Sequence, residues 1–217
     1  EILDKKYKKN QFKLSAEGAF SPPVEKISEA IDLILEAGGG EDIGIAIDAA
    51  ATEFYGEGFY DIDGGKFSKK ELAEFYGNLA EKYPVISIED PFSEEDFSGL
   101  AELENKLKGA VVIFGDDLTV SNIERIKLAQ EKESCNGLVL KPNQIGTVSE
   151  TLAAAKLAKS FGWKIMVANR AGETDDDFIA DLAVGIGADF IKSGAPFPKE
   201  RMAKYNRLSV IEKELQK

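Results

Sequence analysis

The sequence predicts an α/β fold: a TIM-like (β/α) barrel of parallel strands, incomplete at its N-terminal side. Apolar, β-branched runs alternate with segments of helical period along the whole chain, which is the order of a parallel sheet with right-handed crossovers. Six of these runs end on a charged residue: IGIAID at Asp48, VISIED at Glu89, VVIFGDD at Asp116, GLVLK at Lys141, KIMVANR at Arg170 and FIK at Lys192. A doubly wound open sheet gathers its ligands at one switch point, whereas a barrel collects them at every strand end, so this distribution favours the barrel.

The elements follow in order. A weaker run, FKLSAE, ends on Glu17 and adds a seventh strand. Segment 24–37 carries Ile27, Ala30, Ile31, Ile34 and Leu35 on one helical stripe, and Gly38 to Gly40 stop it before the strand ending at Asp48. GFYDIDGGKF (58–67) reads as a small hairpin with Gly64-Gly65 as its turn. Helical periods return at 69–83 after Ser68, at 123–133 after Ser121 or Asn122, at 148–162, at 175–187 and at 199–216. No low-complexity or proline-rich linker divides the chain, so residues 1–217 form one domain.

Composition narrows the class. With 217 residues and 43% hydrophobic content, the chain buries a substantial core without disulfides or structural metal. The single cysteine, Cys135, has no partner in the chain, which excludes a disulfide scaffold and fits a reducing, cytoplasmic setting. A net charge of -12 argues against non-specific binding of nucleic acid or anionic membranes. No apolar run reaches membrane-spanning length and no leader pattern opens the chain, so a soluble protein is expected.

Asp48, Glu89 and Asp116 come from three successive strand ends. Each could cap a helix, but three carboxylates together repel one another and are stable in ionised form only around a cation. Oxygen ligands without histidine or thiolate suit Mg²⁺ or Mn²⁺. Lys141, Arg170 and Lys192 follow on later strands. They either neutralise the acidic half of the rim or act directly, a desolvated lysine as a base and an arginine as a fork for carboxylate or phosphate. Metal on one side and cations on the other describe a pocket for a small polyanion.

The stretches AIDAAATEFY (46–55), SIEDPF (87–92), GDDLTVSN (115–122), LKPNQIGTVSE (140–150), RAGETDDDFIADLAVG (170–185) and IKSGAP with ERMAKYNRL (191–208) resemble the enolase family, in order and over nearly the whole chain. The resemblance implies an enolase-type barrel and dehydration of 2-phosphoglycerate, a small phosphorylated carboxylic acid, to phosphoenolpyruvate. It implies Mg²⁺ held by Asp48, Glu89 and Asp116, with Lys141 removing the alpha proton and Glu17 serving the departing hydroxyl. Lys192 would contact the carboxylate and Arg170 the phosphate, with Asn169 and Ala171 flanking it. A homo-oligomer is implied as well.

The chain departs from the family pattern in three places. Ala168-Asn169-Arg170-Ala171 stands where the family has Ser-His-Arg-Ser, and there is no histidine anywhere. Ser15-Ala16 precedes Glu17 where the family has Gly-Asp. The family's N-terminal α+β domain and first barrel strand are not in the sequence, so a missing N-terminal portion or partner chain is expected to complete the barrel. Retention of all seven charged positions favours an enzyme, and loss of the histidine favours a degenerate relative with a structural or interaction role. Another carboxylate substrate within the wider superfamily is a weaker alternative.

Overall fold

The computed structural model describes residues 1–8, 11–40 and 42–216. A single helical turn, α1 (Ile2–Lys6), leads into two short antiparallel strands, β1 (Lys13–Leu14) and β2 (Phe20–Ser21). This hairpin stands where FKLSAE was expected to form a barrel strand. Ser15 Oγ accepts from the backbone N–H groups of both Glu17 and Ala19 at 3.2 Å, and that local bonding reverses the chain instead of extending it.

Next come α2 (Ile27–Ala37) and β3 (Ile45–Asp48), the first strand of the main sheet. A 3₁₀ turn at Ala51–Phe54 then opens an excursion of three antiparallel strands, β4 (Tyr55–Gly56), β5 (Phe59–Ile62) and β6 (Gly65–Phe67). The hairpin expected over 58–67 is present, with its turn one residue earlier than Gly64-Gly65. Gly65 pairs with Ile62, so the central residues are Asp63 at φ 55° and Gly64 at φ 75°, the left-handed pair of a type I′ turn.

From α3 (Lys69–Lys82) the alternation is regular. It runs through β7 (Val85–Glu89), α4 (Phe97–Leu107), β8 (Val112–Gly115), α5 (Ile123–Glu131) and β9 (Gly137–Leu140). Then follow α6 (Pro142–Ile145), α7 (Val148–Ser160), β10 (Lys164–Ala168), α8 (Phe178–Gly185), β11 (Phe190–Lys192) and α9 (Lys199–Leu215). Ser68 and Glu71 form a reciprocal capping box at α3. Asn122, not Ser121, caps α5, accepting from Glu124 N–H at 2.9 Å. Helix α4 was not anticipated, although Phe97, Leu100 and Leu103 lie at helical spacing and Asp96 caps it through Gly99 N–H.

The main sheet has the order β11-β10-β9-β8-β7-β3, and every pairing is parallel. It is an incomplete (β/α) barrel whose edges, among the described residues, are β3 and β11. The period-2 alternation sorts its side chains between two clusters. Ile113, Leu138, Leu140, Ile165 and Val167 join the helices in the large outer core. Phe114, Val139, Met166 and Ala168 form a small cluster on the other face, with Phe190 packed edge-on to Phe114 at 5.8 Å between centroids. Burying each large apolar side chain contributes roughly 1.5–3 kcal/mol. Gly137 is required by that packing, because a Cβ there would meet the Phe114 ring at 2.6 Å.

No helix among the described residues is long and apolar enough to cross a membrane. Cys135 is buried and unpaired, and burial pushes its thiol well above the usual range.

Candidate active site

All six strands of the main sheet point their C-terminal ends the same way, so the residues that finish them share one rim. A pocket of about 310 Å³ opens there. Asp48, Asp90, Asp116, Asp117, Lys141, Asn169, Arg170, Ala171 and Lys192 line it. Glu17 also lines it, carried there by the hairpin: its carbonyl accepts from Ala195 N–H at 3.0 Å, tying the turn to the segment after β11. Glu89, at 3% exposure, does not line the pocket but is bonded to Lys192, which does. A larger groove of about 590 Å³ between α1, β2 and α2 is mainly apolar and shares no lining residue with this one.

The acids and bases of the rim bond to each other. Lys192 Nζ donates to Asp48 Oδ2 at 2.5 Å and to Glu89 Oε2 at 2.8 Å. Lys141 Nζ donates to Asp116 Oδ2, and Gln144 Nε2 donates to Asp116 Oδ1 at 3.2 Å. The three carboxylates expected around one metal are thus shared between two ammonium groups.

Asp116 has closer acidic company in Asp90 and Asp117. Ligand oxygens of these three lie within 4.8 Å of one another, a cluster able to bind a metal ion. Asp90 Oδ1 and Oδ2 accept from the backbone N–H groups of Asp116 and Asp117 at 3.0 and 2.7 Å, which fixes the loop after β8 to the loop after β7.

Burial dominates the electrostatics of these acids. It lifts the Glu89 carboxyl well above the usual carboxylate range against the pull of the Lys192 ammonium. It lifts Asp90 to about 7, opposed by the two backbone hydrogen bonds. Asp117 is raised by burial and then by the charge of Asp116. For Lys192, burial works against the charge, but the Glu89 and Asp48 carboxylates outweigh it and raise the ammonium.

The backbone is left-handed just past two of the acidic strands, at Ala50 (φ 44°) and Asp90 (φ 42°), and again at Val120 and Ser121 (φ 44° and 56°) after Asp116. Non-glycine residues in this region cost of order 1–3 kcal/mol each and persist where the surroundings over-determine them. Ser121 is one such place. Its hydroxyl accepts from Lys141 N–H at 3.0 Å and donates to Gln144 Oε1 at 3.1 Å, so the strained turn after β8 sets the start of the turn that carries Lys141.

The donor set suits a hard divalent cation, since the rim holds carboxylates with no imidazole or thiolate. One buried atom points to the same need: Glu89 Oε1 has no hydrogen-bond partner among the described residues, which is costly for a carboxylate oxygen unless a cation or water completes it.

Sequence reasoning missed Asp90, Asp117, Ser121, Gln144 and Arg201. Asp90 and Asp117 each sit beside a chosen acid, so an acidic pair at a strand end was the available signal. Arg201 left none, because it lies within a helical pattern far from the strands in sequence. In the structure it is 1% exposed and bonded to the segment after β10.

The family model described as "Enolase, C-terminal TIM barrel domain" matches residues 1–217. A protein of Methanocaldococcus jannaschii named enolase is 46% identical over 218 residues, covering 99% of this chain and 51% of that protein. Enolases of Sulfurisphaera tokodaii and Sulfolobus acidocaldarius are 48% and 45% identical, covering 98% of this chain and 52% of each relative. The chain therefore spans about half the length of the curated relatives it matches.

Proposed function

The chain belongs to the enolase family, through its C-terminal barrel domain, and on that premise we propose that it forms the catalytic face of a magnesium-dependent hydro-lyase that converts 2-phosphoglycerate reversibly to phosphoenolpyruvate. The convergence of Asp48, Asp116, Lys141, Arg170 and Lys192 on one pocket, with buried Glu89 bonded to Lys192, carries this reading. The rest of the family architecture, in the same polypeptide or a partner chain, would complete the barrel. A homo-oligomer in a cytoplasmic setting belongs to the same proposal.

Asp48, Glu89 and Asp116 would hold Mg²⁺, which supplies positive charge where negative charge builds on the substrate carboxylate. Lys141 Nζ takes the alpha proton. The carbon–oxygen bond at the neighbouring carbon then breaks, Glu17 gives a proton to the departing hydroxyl, and water leaves as the double bond forms. Lys192 orients the carboxylate and Arg170 grips the phosphate. Lys141 can act as a base only once its ammonium is free of Asp116, the carboxylate that a divalent cation would also claim.

A second reading, a catalytically impaired relative with a structural role, draws on the absence of histidine and on Ala171 at the phosphate side. Incubation with 2-phosphoglycerate and Mg²⁺, with the rest of the family architecture present to complete the barrel, in the native sequence and in a variant carrying Asn169→His with Ala171→Ser, separates the two. Phosphoenolpyruvate formation that rises in the double variant is expected. A double variant that binds metal and substrate yet makes no product would refute the enzyme reading in favour of the structural one.

A further inference from the structure

Arg201 is a fully buried guanidinium on the first turn of α9, and no carboxylate among the described residues lies within ion-pair distance of it. It spends its charge on the segment after β10 instead. Nη1 donates to Asn169 Oδ1 at 2.9 Å and to the Arg170 carbonyl at 3.2 Å, and Nη2 donates to the Ala171 carbonyl at 2.8 Å. Burying an unpaired charge against neutral acceptors is unfavourable for folding alone. Lys204, one turn later and equally buried, adds a bond to the Thr174 carbonyl at 2.5 Å, so α9 holds this loop at both ends.

The guanidinium has only donors, so the Asn169 atom facing it must be the carbonyl oxygen. The amide is thereby oriented, and its Nδ2 remains buried without a partner among the described residues, at the wall of the pocket that Asn169 and Arg170 line. An orphaned donor beside a pocket cation suits an anionic ligand.

We propose that Arg201 is a positioning residue for the anion-binding side of the pocket: it presents the Asn169 amide nitrogen as a donor and fixes the backbone from which Arg170 reaches the substrate phosphate. This rests on the reading that the pocket takes a phosphorylated carboxylic acid. Arg201 also explains how asparagine serves at position 169, since a fixed amide offers one directed N–H without carrying charge.

The test compares wild type with Arg201→Met, Arg201→Lys and Asn169→Asp. In ligand-free protein, the Asn169 side-chain amide resonance, identified by its loss in Asn169→Asp, is expected to shift in Arg201→Met; an unmoved resonance overturns the positioning role without reference to any substrate. With Mg²⁺ present, affinity for 2-phosphoglycerate is expected to fall roughly tenfold in Arg201→Met, the loss of one or two hydrogen bonds, and to recover partly in Arg201→Lys. Asn169→Asp still accepts from Arg201 and pairs its charge, so its melting temperature is expected to hold or rise, while loss of the directed N–H together with the added negative charge is expected to lower affinity about tenfold or more. Wild type that binds no 2-phosphoglycerate overturns the pocket reading and this proposal with it. Wild type that binds, alongside Arg201→Met and Asn169→Asp binding equally well, overturns the positioning role alone.

Discussion

Lys192 and Asp48 meet at 2.5 Å although they end β11 and β3, the two edge strands of the main sheet. No ladder of backbone hydrogen bonds joins these edges among the described residues, so the sheet curls far enough for a side-chain ion pair to bridge them at the rim. The same ammonium reaches Glu89 at 2.8 Å, which makes Lys192 both a clasp for the open sheet and the counter-charge of the buried acid.

Replacing Lys192 with Met leaves Asp48 and Glu89 facing each other without a cation. Since the Lys192 side chain is 37% exposed, solvent screens part of the loss, and destabilisation of about 1–3 kcal/mol is expected in metal-free buffer. Thermal unfolding with and without Mg²⁺ checks this, and the variant should gain more from the metal than wild type does. Equal melting temperatures in metal-free buffer would show that the clasp contributes nothing.

Asp116→Asn removes a carboxylate from the acidic cluster able to bind a metal ion and the ionic partner of Lys141. A ligand at about 100 times its dissociation constant stabilises the folded state by roughly 2.7 kcal/mol, so the Mg²⁺-dependent rise in melting temperature should shrink markedly. A rise as large as that of wild type would remove Asp116 from the metal site.

Lys141→Ala should abolish exchange of the substrate alpha proton with solvent deuterium, followed by NMR. Metal binding should be spared or tightened, because the ammonium no longer competes for Asp116. Exchange at the wild-type rate would assign the base to another residue.

Tyr60 offers a pH test away from the rim. Burial chiefly, against a hydrogen bond from Ser93 N–H, pushes its phenol up to about 12. The folded value lies above the unfolded one, so its stabilising contribution is complete below about 10 and is lost as pH rises through about 12. Urea unfolding across that window should show a shallower loss of stability in Tyr60→Phe than in wild type, and identical slopes would mean that Tyr60 does not contribute.

Much of the fold was legible because burial imposes local periods. The runs ending at Asp48, Glu89 and Lys192 are strands to the residue, while Asp116, Lys141 and Arg170 lie one or two positions past theirs. Six helical segments were found to within a few residues of their ends. The strand at Glu17 was misread because apolar pattern alone does not register the Ser15 hydroxyl, whose local bonds turn the chain.

The sequence by itself determined the parallel order, the rim and its charges, since these follow from hydrophobic period and from where each period ends. Only the tertiary structure decided which charge meets which. Lys192 finds Asp48 across the curl of the sheet, Asp90 at the pocket lining holds the backbone of Asp116, and Arg201 reaches the Asn169 loop from the last helix. Such partnerships depend on distances between residues 26 to 144 positions apart. A local period carries no record of those distances; the packing of the sheet against its helices sets them.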